Sequence, residues 1–129
     1  MTNPIRAPSS DRKRILVVED DDGQRAALAA ALTRAGYEVF LAATGAAALL
    51  VARELKLDAA VVDLFLPDAG GLGLARALRE TMAAVPVIFM TGLAIAAVRD
   101  ALAPAPVLFK PFSRKHLLTA VARAAGRAR

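Results

Sequence analysis

Residues 59–71 read Ala-Ala-Val-Val-Asp-Leu-Phe-Leu-Pro-Asp-Ala-Gly-Gly, and this stretch decides the fold class. Four apolar residues are followed by Asp63, and Pro67, Gly70 and Gly71 then indicate a turn. A short, continuous apolar run is typical of a parallel strand that is covered on both faces. A carboxylate at the end of a buried strand is costly unless it meets a cation or a ligand. The stretch therefore predicts a parallel sheet with a functional site at its edge.

Four further apolar runs alternate with helical stretches along the chain, which predicts a doubly wound α/β fold with a five-stranded parallel sheet and five helices. The predicted strands are Arg14–Val18, Tyr37–Ala42, Asp58–Val62, Val85–Met90 and Pro106–Phe109. The second is the most mixed in composition, so we expect it at a sheet edge. The predicted helices are Gln24–Ala35, a helix capped by Thr44 that ends at Glu54, Gly71–Glu80, Gly92–Leu102 and a last helix capped by Ser113.

The length and composition suit one ordinary domain. The chain has 129 residues, of which 57% are hydrophobic, so a packed core is expected. Cysteine is absent, which excludes disulfides, a thiol nucleophile and a thiolate metal site. No apolar run approaches the roughly 18 residues of a membrane span, and the polar start lacks the apolar core of a signal peptide. We therefore expect a cytoplasmic protein with no membrane partner.

The net charge of +5 is unevenly distributed. It divides into +3 over residues 1–14, −3 over residues 15–112 and +5 over residues 113–129. A solvated last helix and tail explain these basic ends better than nucleic acid binding does. The expected organisation is a flexible basic tail at 1–13, one folded domain at 14–126 and a C-terminal tail at 127–129.

Charged and polar residues stand at the ends of four predicted strands, where doubly wound sheets bind their ligands. Glu19 and Asp20 follow the first strand, Asp63 and Thr91 stand at the ends of the third and fourth, and Lys110 follows the fifth. Clustered carboxylates raise one another's pKa values unless a hard cation such as Mg²⁺ joins them. A carboxylate beside bound Mg²⁺ can attack a phosphoryl group and form an aspartyl phosphate. Lys110 and Thr91 would then supply a positive charge and a hydroxyl donor to the phosphoryl oxygens.

Four motifs stand on these elements: Ile-Leu-Val-Val-Glu-Asp-Asp at 15–21, Val-Asp-Leu-Phe-Leu-Pro at 62–67 leading to Gly71-Leu72, Phe-Met-Thr-Gly at 89–92 and Lys-Pro-Phe at 110–112. Together and in this order they resemble the receiver domain of bacterial two-component response regulators, over about residues 14–126. The resemblance implies a flavodoxin-like strand order, 2-1-3-4-5, and a cis peptide bond between Lys110 and Pro111.

The same resemblance implies a role for each site residue. Asp63 is the implied phosphoacceptor, and Thr91 and Lys110 are the implied contacts of the phosphoryl group. The cofactor is Mg²⁺ or Mn²⁺, and its implied ligands are Asp20, Asp63, the backbone carbonyl of Phe65 and, through water, Glu19.

What the resemblance implies about function is a signalling domain. It would take a phosphoryl group from a sensor histidine kinase or a histidine phosphotransfer protein and signal to a downstream protein. It would catalyse only its own phosphorylation and dephosphorylation, so it is not a turnover enzyme. A homodimer through the fourth helix, fifth strand and fifth helix is compatible with the resemblance, and direct nucleic acid binding is not implied.

Val107 departs from the family pattern, because most receivers carry an aromatic residue three positions before the lysine. The segment from Thr91 to Lys110 is also about three residues shorter than usual, with Ala-Pro-Ala-Pro at 103–106. The usual switch between the threonine and the aromatic residue is therefore not carried over. Our hypotheses are that signalling orders residues 92–105 and that the bulk of Phe65 hinders the water that would remove the phosphoryl group.

Alternative interpretations stay open at this stage. A degenerate receiver that acts as a phosphorylation-independent docking module is favoured by Val107 but opposed by the intact acids and lysine. A small phosphohydrolase would need a second acid where Phe65 stands. A mononucleotide-binding protein would need a Ser/Thr/Gly-rich loop, and residues 19–22 are all acidic instead. Direct DNA binding through residues 113–129 would lack a second, helix-turn-helix domain.

Overall fold

The computed structural model describes residues 12–68, 70–81, 85–93 and 96–127, which contain five strands and five helices. The strands are β1 (Arg14–Val18), β2 (Glu38–Ala42), β3 (Ala59–Asp63), β4 (Val87–Thr91) and β5 (Val107–Phe109). The helices are α1 (Asp22–Arg34), α2 (Gly45–Glu54), α3 (Gly71–Thr81), α4 (Ala96–Leu102) and α5 (Arg114–Ala125). Most residues of the two predicted tails lie outside the described part of the chain, so the tails stay predictions.

The five strands form one sheet in which every neighbouring pair is parallel. Their order is β2-β1-β3-β4-β5, which confirms the doubly wound α/β fold and the strand order 2-1-3-4-5. The second strand lies at an edge of the sheet, as predicted. The register places Val18 beside Val62 and Asp63 beside Met90. The carboxyl ends of β1, β3 and β4 therefore meet at one edge of the sheet.

Helices cover the sheet on both faces, which explains why its central strands are continuously apolar. Successive residues of β1 point to opposite faces. Leu16 and Val18 join a core with α2, α3 and α4, whereas Ile15 and Val17 join a core with α1 and α5. All four side chains are fully buried. Burial of each such side chain contributes about 1.5–3 kcal/mol, so the central strands provide a rigid frame for the residues at their ends.

Side-chain caps determine where three of the helices begin. Oδ2 of Asp21 accepts a hydrogen bond from Gln24 N–H at 2.8 Å, so α1 begins at Asp22, earlier than the predicted Gln24. Thr44 and Ser113 cap α2 and α5, as predicted. Among the described residues, no helix is both long and apolar enough to cross a bilayer.

The largest departure from the predicted elements concerns α4. It begins at Ala96 rather than at Gly92 and has seven residues. Gly92 and Leu93 lie outside the helix, and Oγ1 of Thr91 accepts a hydrogen bond from Leu93 N–H at 3.1 Å. Residues 94–95 lie outside the described part of the chain.

Candidate functional site

The predicted site residues converge at the carboxyl edge of the sheet. Glu19 follows β1, Asp63 ends β3, Thr91 ends β4 and Lys110 follows β5. Glu19 and Thr91 are each 1% exposed and Asp63 is 7% exposed, so three polar groups are buried together. Asp20, next to Glu19, is exposed at the mouth of the site. The parallel topology thus brings together residues that are far apart in the chain, as the sequence predicted.

Lys110 joins the two buried carboxylates. Its Nζ donates to Oε1 of Glu19 at 2.7 Å and to Oδ2 of Asp63 at 2.9 Å. Burial by itself lowers the pKa of Lys110, but the hydrogen bonds to the two carboxylates and their charges outweigh it and raise that pKa. The lysine is therefore a cation at neutral pH, and its charge offsets the repulsion between Glu19 and Asp63.

Glu19 is an acid whose burial disfavours its charged form. Its burial raises the pKa of its carboxyl group, and the hydrogen bonds from Lys110 and from Asp21 N–H oppose that rise. The charge of Asp63 raises the pKa further. A single lysine cation thus leaves this carboxylate cluster incompletely compensated, and a second cation would favour the ionised form.

The carboxylate oxygens of Glu19, Asp20 and Asp63 fit a hard divalent cation. One oxygen from each residue lies within 4.8 Å of the other two. Mg²⁺ binds oxygen ligands at about 2.0–2.1 Å and keeps several waters. If the three oxygens moved closer together, they could bind one ion between them. Because Asp20 is exposed, water could complete the coordination on the solvent side of the ion.

Both oxygens of Asp63 have partners, and one of them comes from the loop that follows β3. Oδ1 of Asp63 accepts from Phe65 N–H at 2.9 Å, while Oδ2 accepts from Lys110. A backbone bridge between Phe65 and Gly70 closes the loop. The Phe65 side chain is 59% exposed. The hydrogen bond from the loop thus orients the carboxylate of Asp63.

Thr91 contributes to the site through its buried hydroxyl and its carbonyl. The hydroxyl oxygen accepts from Leu93 N–H, and the hydroxyl hydrogen is still available to a ligand. The carbonyl oxygen accepts from Lys110 N–H at 2.7 Å, which ties the end of β4 to the end of β5. The peptide bond between Lys110 and Pro111 is cis, as the resemblance implied.

Sequence reasoning missed the part that Asp68 has in this loop. Its two carboxylate oxygens accept from Gly45 N–H at 2.9 Å and from Ala46 N–H at 3.1 Å, at the beginning of α2. These hydrogen bonds lower the pKa of Asp68. An acid in a turn after proline is a signal for capping, but only the fold shows which helix it caps.

Arg25 is the second residue that sequence reasoning missed. Its guanidinium donates to the carbonyls of Glu19 at 3.0 Å and of Asp20 at 3.4 Å, and it pairs with Asp22 at 2.7 Å. It holds the acidic loop after β1 in place from the first turn of α1. Asp21 is the N-cap of α1 and Asp22 lies in its first turn, so neither belongs to the carboxylate cluster.

Three further features, on β5, α4 and α5, lie outside the carboxylate cluster. Val107 is half-buried and lies beside Phe89 in the sheet, packed against the core on the α3 and α4 face. The Arg99 guanidinium lies 4.7 Å above the ring of Phe109 and connects α4 to β5. His116 is exposed on α5.

Comparison with known proteins gives a consistent result. The family model described as "Response regulator receiver domain" matches residues 15–122. The chain is 36% identical over 112 residues to the response regulator receiver protein CpdR of Brucella abortus, covering 84% of this chain and 93% of that protein. It is 40% identical over 116 residues to the sensor kinase CckA of the same organism, covering 83% of this chain but only 12% of that protein.

Two solved structures have the same fold. One is the chemotaxis protein CheY4 of Vibrio cholerae, with a TM-score of 0.80, 27% identity, and coverage of 87% of this chain and 98% of that one. The other is the receiver domain of a Pseudomonas aeruginosa sensor histidine kinase that holds a magnesium ion in its active site cleft. Its TM-score is 0.79 and its identity 32%, with coverage of 88% of this chain and 98% of that one. The chain spans only 34% and 51% of two transcriptional regulators that it also matches.

Proposed function

The chain belongs to the response regulator receiver domain family, and from this premise we propose that Asp63 accepts a phosphoryl group from a histidine kinase or a histidine phosphotransfer protein. Receiver domains of this kind act in two-component signalling and are not classical enzymes. The observation that carries the proposal is the position of Lys110, which bridges Glu19 and Asp63 within hydrogen-bonding distance. The intact cluster also argues against a docking module that works without phosphorylation.

In the proposed reaction, an oxygen of Asp63 attacks the phosphorus atom of a phosphohistidine. A new O–P bond forms, the N–P bond breaks, and its electron pair leaves with the donor imidazole. Bound Mg²⁺ or Mn²⁺ supplies positive charge that stabilises the transferring group. The residues that would hold it are Glu19, Asp20, Asp63 and the Phe65 carbonyl.

Lys110 and Thr91 act on the acquired phosphoryl group. The ammonium of Lys110 moves from the carboxylate oxygen of Asp63 to a phosphoryl oxygen, so its anionic partner changes from the carboxylate to the phosphoryl group. The hydroxyl of Thr91 donates to a second phosphoryl oxygen and at the same time keeps Leu93 N–H as its donor. The domain thus promotes its own phosphorylation. In its own dephosphorylation, water attacks the phosphorus, the O–P bond to Asp63 breaks, inorganic phosphate leaves and the carboxylate of Asp63 is restored.

The proposed setting of the domain follows from the same family. A folded receiver at 14–126, flanked by short tails, would work in the cytoplasm with a kinase or phosphotransfer protein as donor and a downstream protein as reader. Self-association through α4, β5 and α5 is a further proposal, which equilibrium sedimentation with and without beryllofluoride would test.

Mass measurement tests the central proposal directly. The wild type and Asp63→Asn are incubated with acetyl phosphate and Mg²⁺ and then weighed as intact proteins. We expect one phosphoryl adduct on the wild type, none on the variant, and none on the wild type when EDTA replaces Mg²⁺. An unmodified wild type, or an adduct on both proteins, would contradict the proposal.

A further inference from the structure

A second concave surface lies away from the acidic site, on the part of the fold where the sequence departs from the family pattern. It is a groove of about 960 Å³ lined by α3, by residues 85–87, by the end of α4 with residues 103–106, and by the last turns of α5. Its floor includes Val87, Phe89 and Leu102, which are apolar and nearly buried. None of the residues proposed for phosphoryl transfer lines this groove.

Small side chains make up much of the groove lining. Ala101, Ala103 and Ala105 contribute only methyl groups, and Pro104 and Pro106 add compact rings. α4 makes no extensive contact with α3, so these small groups do not fill the space between the two helices. Hydrogen bonds from Ala103 N–H to Arg99 and from Ala105 N–H to Leu102 hold the proline-rich turn in order.

The charge around the groove has one sign. Arg76, Arg79 and Arg123 are exposed, and none of them makes an ion pair within the described part of the chain. The described residues that line the groove include no acid. Residues 82–84, which lead from α3 towards β4, carry no charge in the sequence either. Three unpaired guanidinium groups around an apolar floor attract a partner that is both apolar and anionic.

We propose that this groove docks an acidic, amphipathic segment of the downstream protein. Apolar side chains of the segment would cover the alanine and proline lining, and its Asp or Glu residues would pair with Arg76, Arg79 and Arg123. This is the helix-in-groove type of recognition, with charge fixing the orientation. The proposal rests on the proposed function only in taking the partner to be the reader of the phosphorylated domain.

Other anionic partners fit the surface less well. A nucleic acid has the charge but no aliphatic side chains for the groove floor. A bilayer surface is too flat to reach Val87 and Phe89 inside a groove. A small molecule would remain largely exposed in a site this open, whereas binding pockets bury most of such a ligand.

Peptide selection tests the proposal with the whole chain. A display library of random 16-residue peptides is selected against the wild type and screened against a groove variant, R76E/R79E/R123E. The control variant R34E/R53E/K56E makes the same change of net charge at exposed residues outside the groove. A second groove variant, Ala101→Phe, obstructs the groove without changing its charge. Circular dichroism and acetyl phosphate uptake on Asp63 establish that each variant is folded.

We expect the selected peptides to combine Asp or Glu with apolar residues at helical spacing. Their affinity should fall at least about tenfold on the arginine variant, fall also on Ala101→Phe, and persist on the control. Peptides that bind wild type and both groove variants equally would overturn the proposal. A different result would also overturn the proposal. In it, no peptide depends on the groove, but the wild type sediments with phosphatidylglycerol vesicles and the arginine variant does not. A wild type that binds such peptides but takes up no phosphoryl group would support the groove and contradict the proposed function.

Discussion

The carboxyl ends of β1 and β3 and the segment from the end of β4 to β5 are built in contrasting ways. In the first region, Glu19 and Asp63 are buried and share one lysine, and the loops beside them are anchored by Arg25 and Asp68. In the second, a short helix and a turn of alanine and proline leave an open groove. The contrast teaches that one domain can anchor its buried carboxylates through many hydrogen bonds and still leave another surface free to differ from the family pattern.

Removal of Lys110 should disturb the first region most. Lys110→Ala leaves two buried carboxylates without their shared cation and removes the positive charge proposed to meet the phosphoryl group. We expect the rate of phosphoryl uptake from acetyl phosphate to fall about 100-fold or more. Without Mg²⁺, the free energy of unfolding should fall by about 1–3 kcal/mol.

Uptake is measured by intact mass over time, and unfolding by urea titration followed by circular dichroism. Lys115→Ala, at an exposed position on α5, is the control and should change neither quantity. Equal uptake by the Lys110 variant and the wild type would show that the cluster does not depend on this lysine.

Phosphorylation should order the second region. A helix of seven residues is too short to be stable by itself, so α4 should exchange its amide hydrogens readily in the free domain. With beryllofluoride and Mg²⁺ bound at Asp63, we expect exchange across residues 92–105 to slow by about tenfold or more, which corresponds to about 1.4 kcal/mol of local stabilisation. Mass spectrometry of peptic fragments measures this, with β1 as the internal reference. Equal protection in both states would rule out an ordering switch.

Phe65 lies two residues after Asp63, the proposed phosphoacceptor, and is exposed. If its ring hinders the attacking water, Phe65→Asn should shorten the lifetime of the aspartyl phosphate several-fold while uptake remains similar. Decay of the phosphoryl adduct is followed by intact mass after the removal of acetyl phosphate. Leu72→Asn, another exposed apolar residue, is the control. An unchanged lifetime of the Phe65 variant would count against the hypothesis.

Asp68 should give the smallest effect, and that effect should depend on pH. Its pKa is lowered by the hydrogen bonds from Gly45 and Ala46. The resulting stabilisation is complete above the ordinary carboxyl pKa of about 3.9 and is lost as pH falls through the lower value of the folded state. The stability difference between wild type and Asp68→Asn should therefore be larger at about pH 5 than at about pH 2.

Urea titrations at the two pH values check this expectation. Asp100→Asn is the control, because this exposed carboxylate makes no hydrogen bond or ion pair within the described residues. A difference for Asp68→Asn that is independent of pH would show that the carboxylate does not anchor the loop through its charge.

Short-range patterns predicted the strands and the residues that meet at the sheet edge, whereas the strand order was predicted from the family resemblance. Apolar runs mark the strands, and polar residues directly after them mark the edge. The start of α4 was predicted wrongly, since Gly92 and Leu93 are not helical and the helix begins at Ala96.

By itself, the sequence determined the class of fold, the family resemblance and the acids, threonine and lysine that make up the site. Only the tertiary structure decided that Lys110 bridges Glu19 and Asp63, that Asp68 caps α2, and that small side chains leave a groove beneath three arginines. The physical reason is distance along the chain. The spacing of hydrophobic residues and helix capping depend on residues a few positions apart. The contacts listed above instead join distant segments, which meet only when the connections between parallel strands have formed.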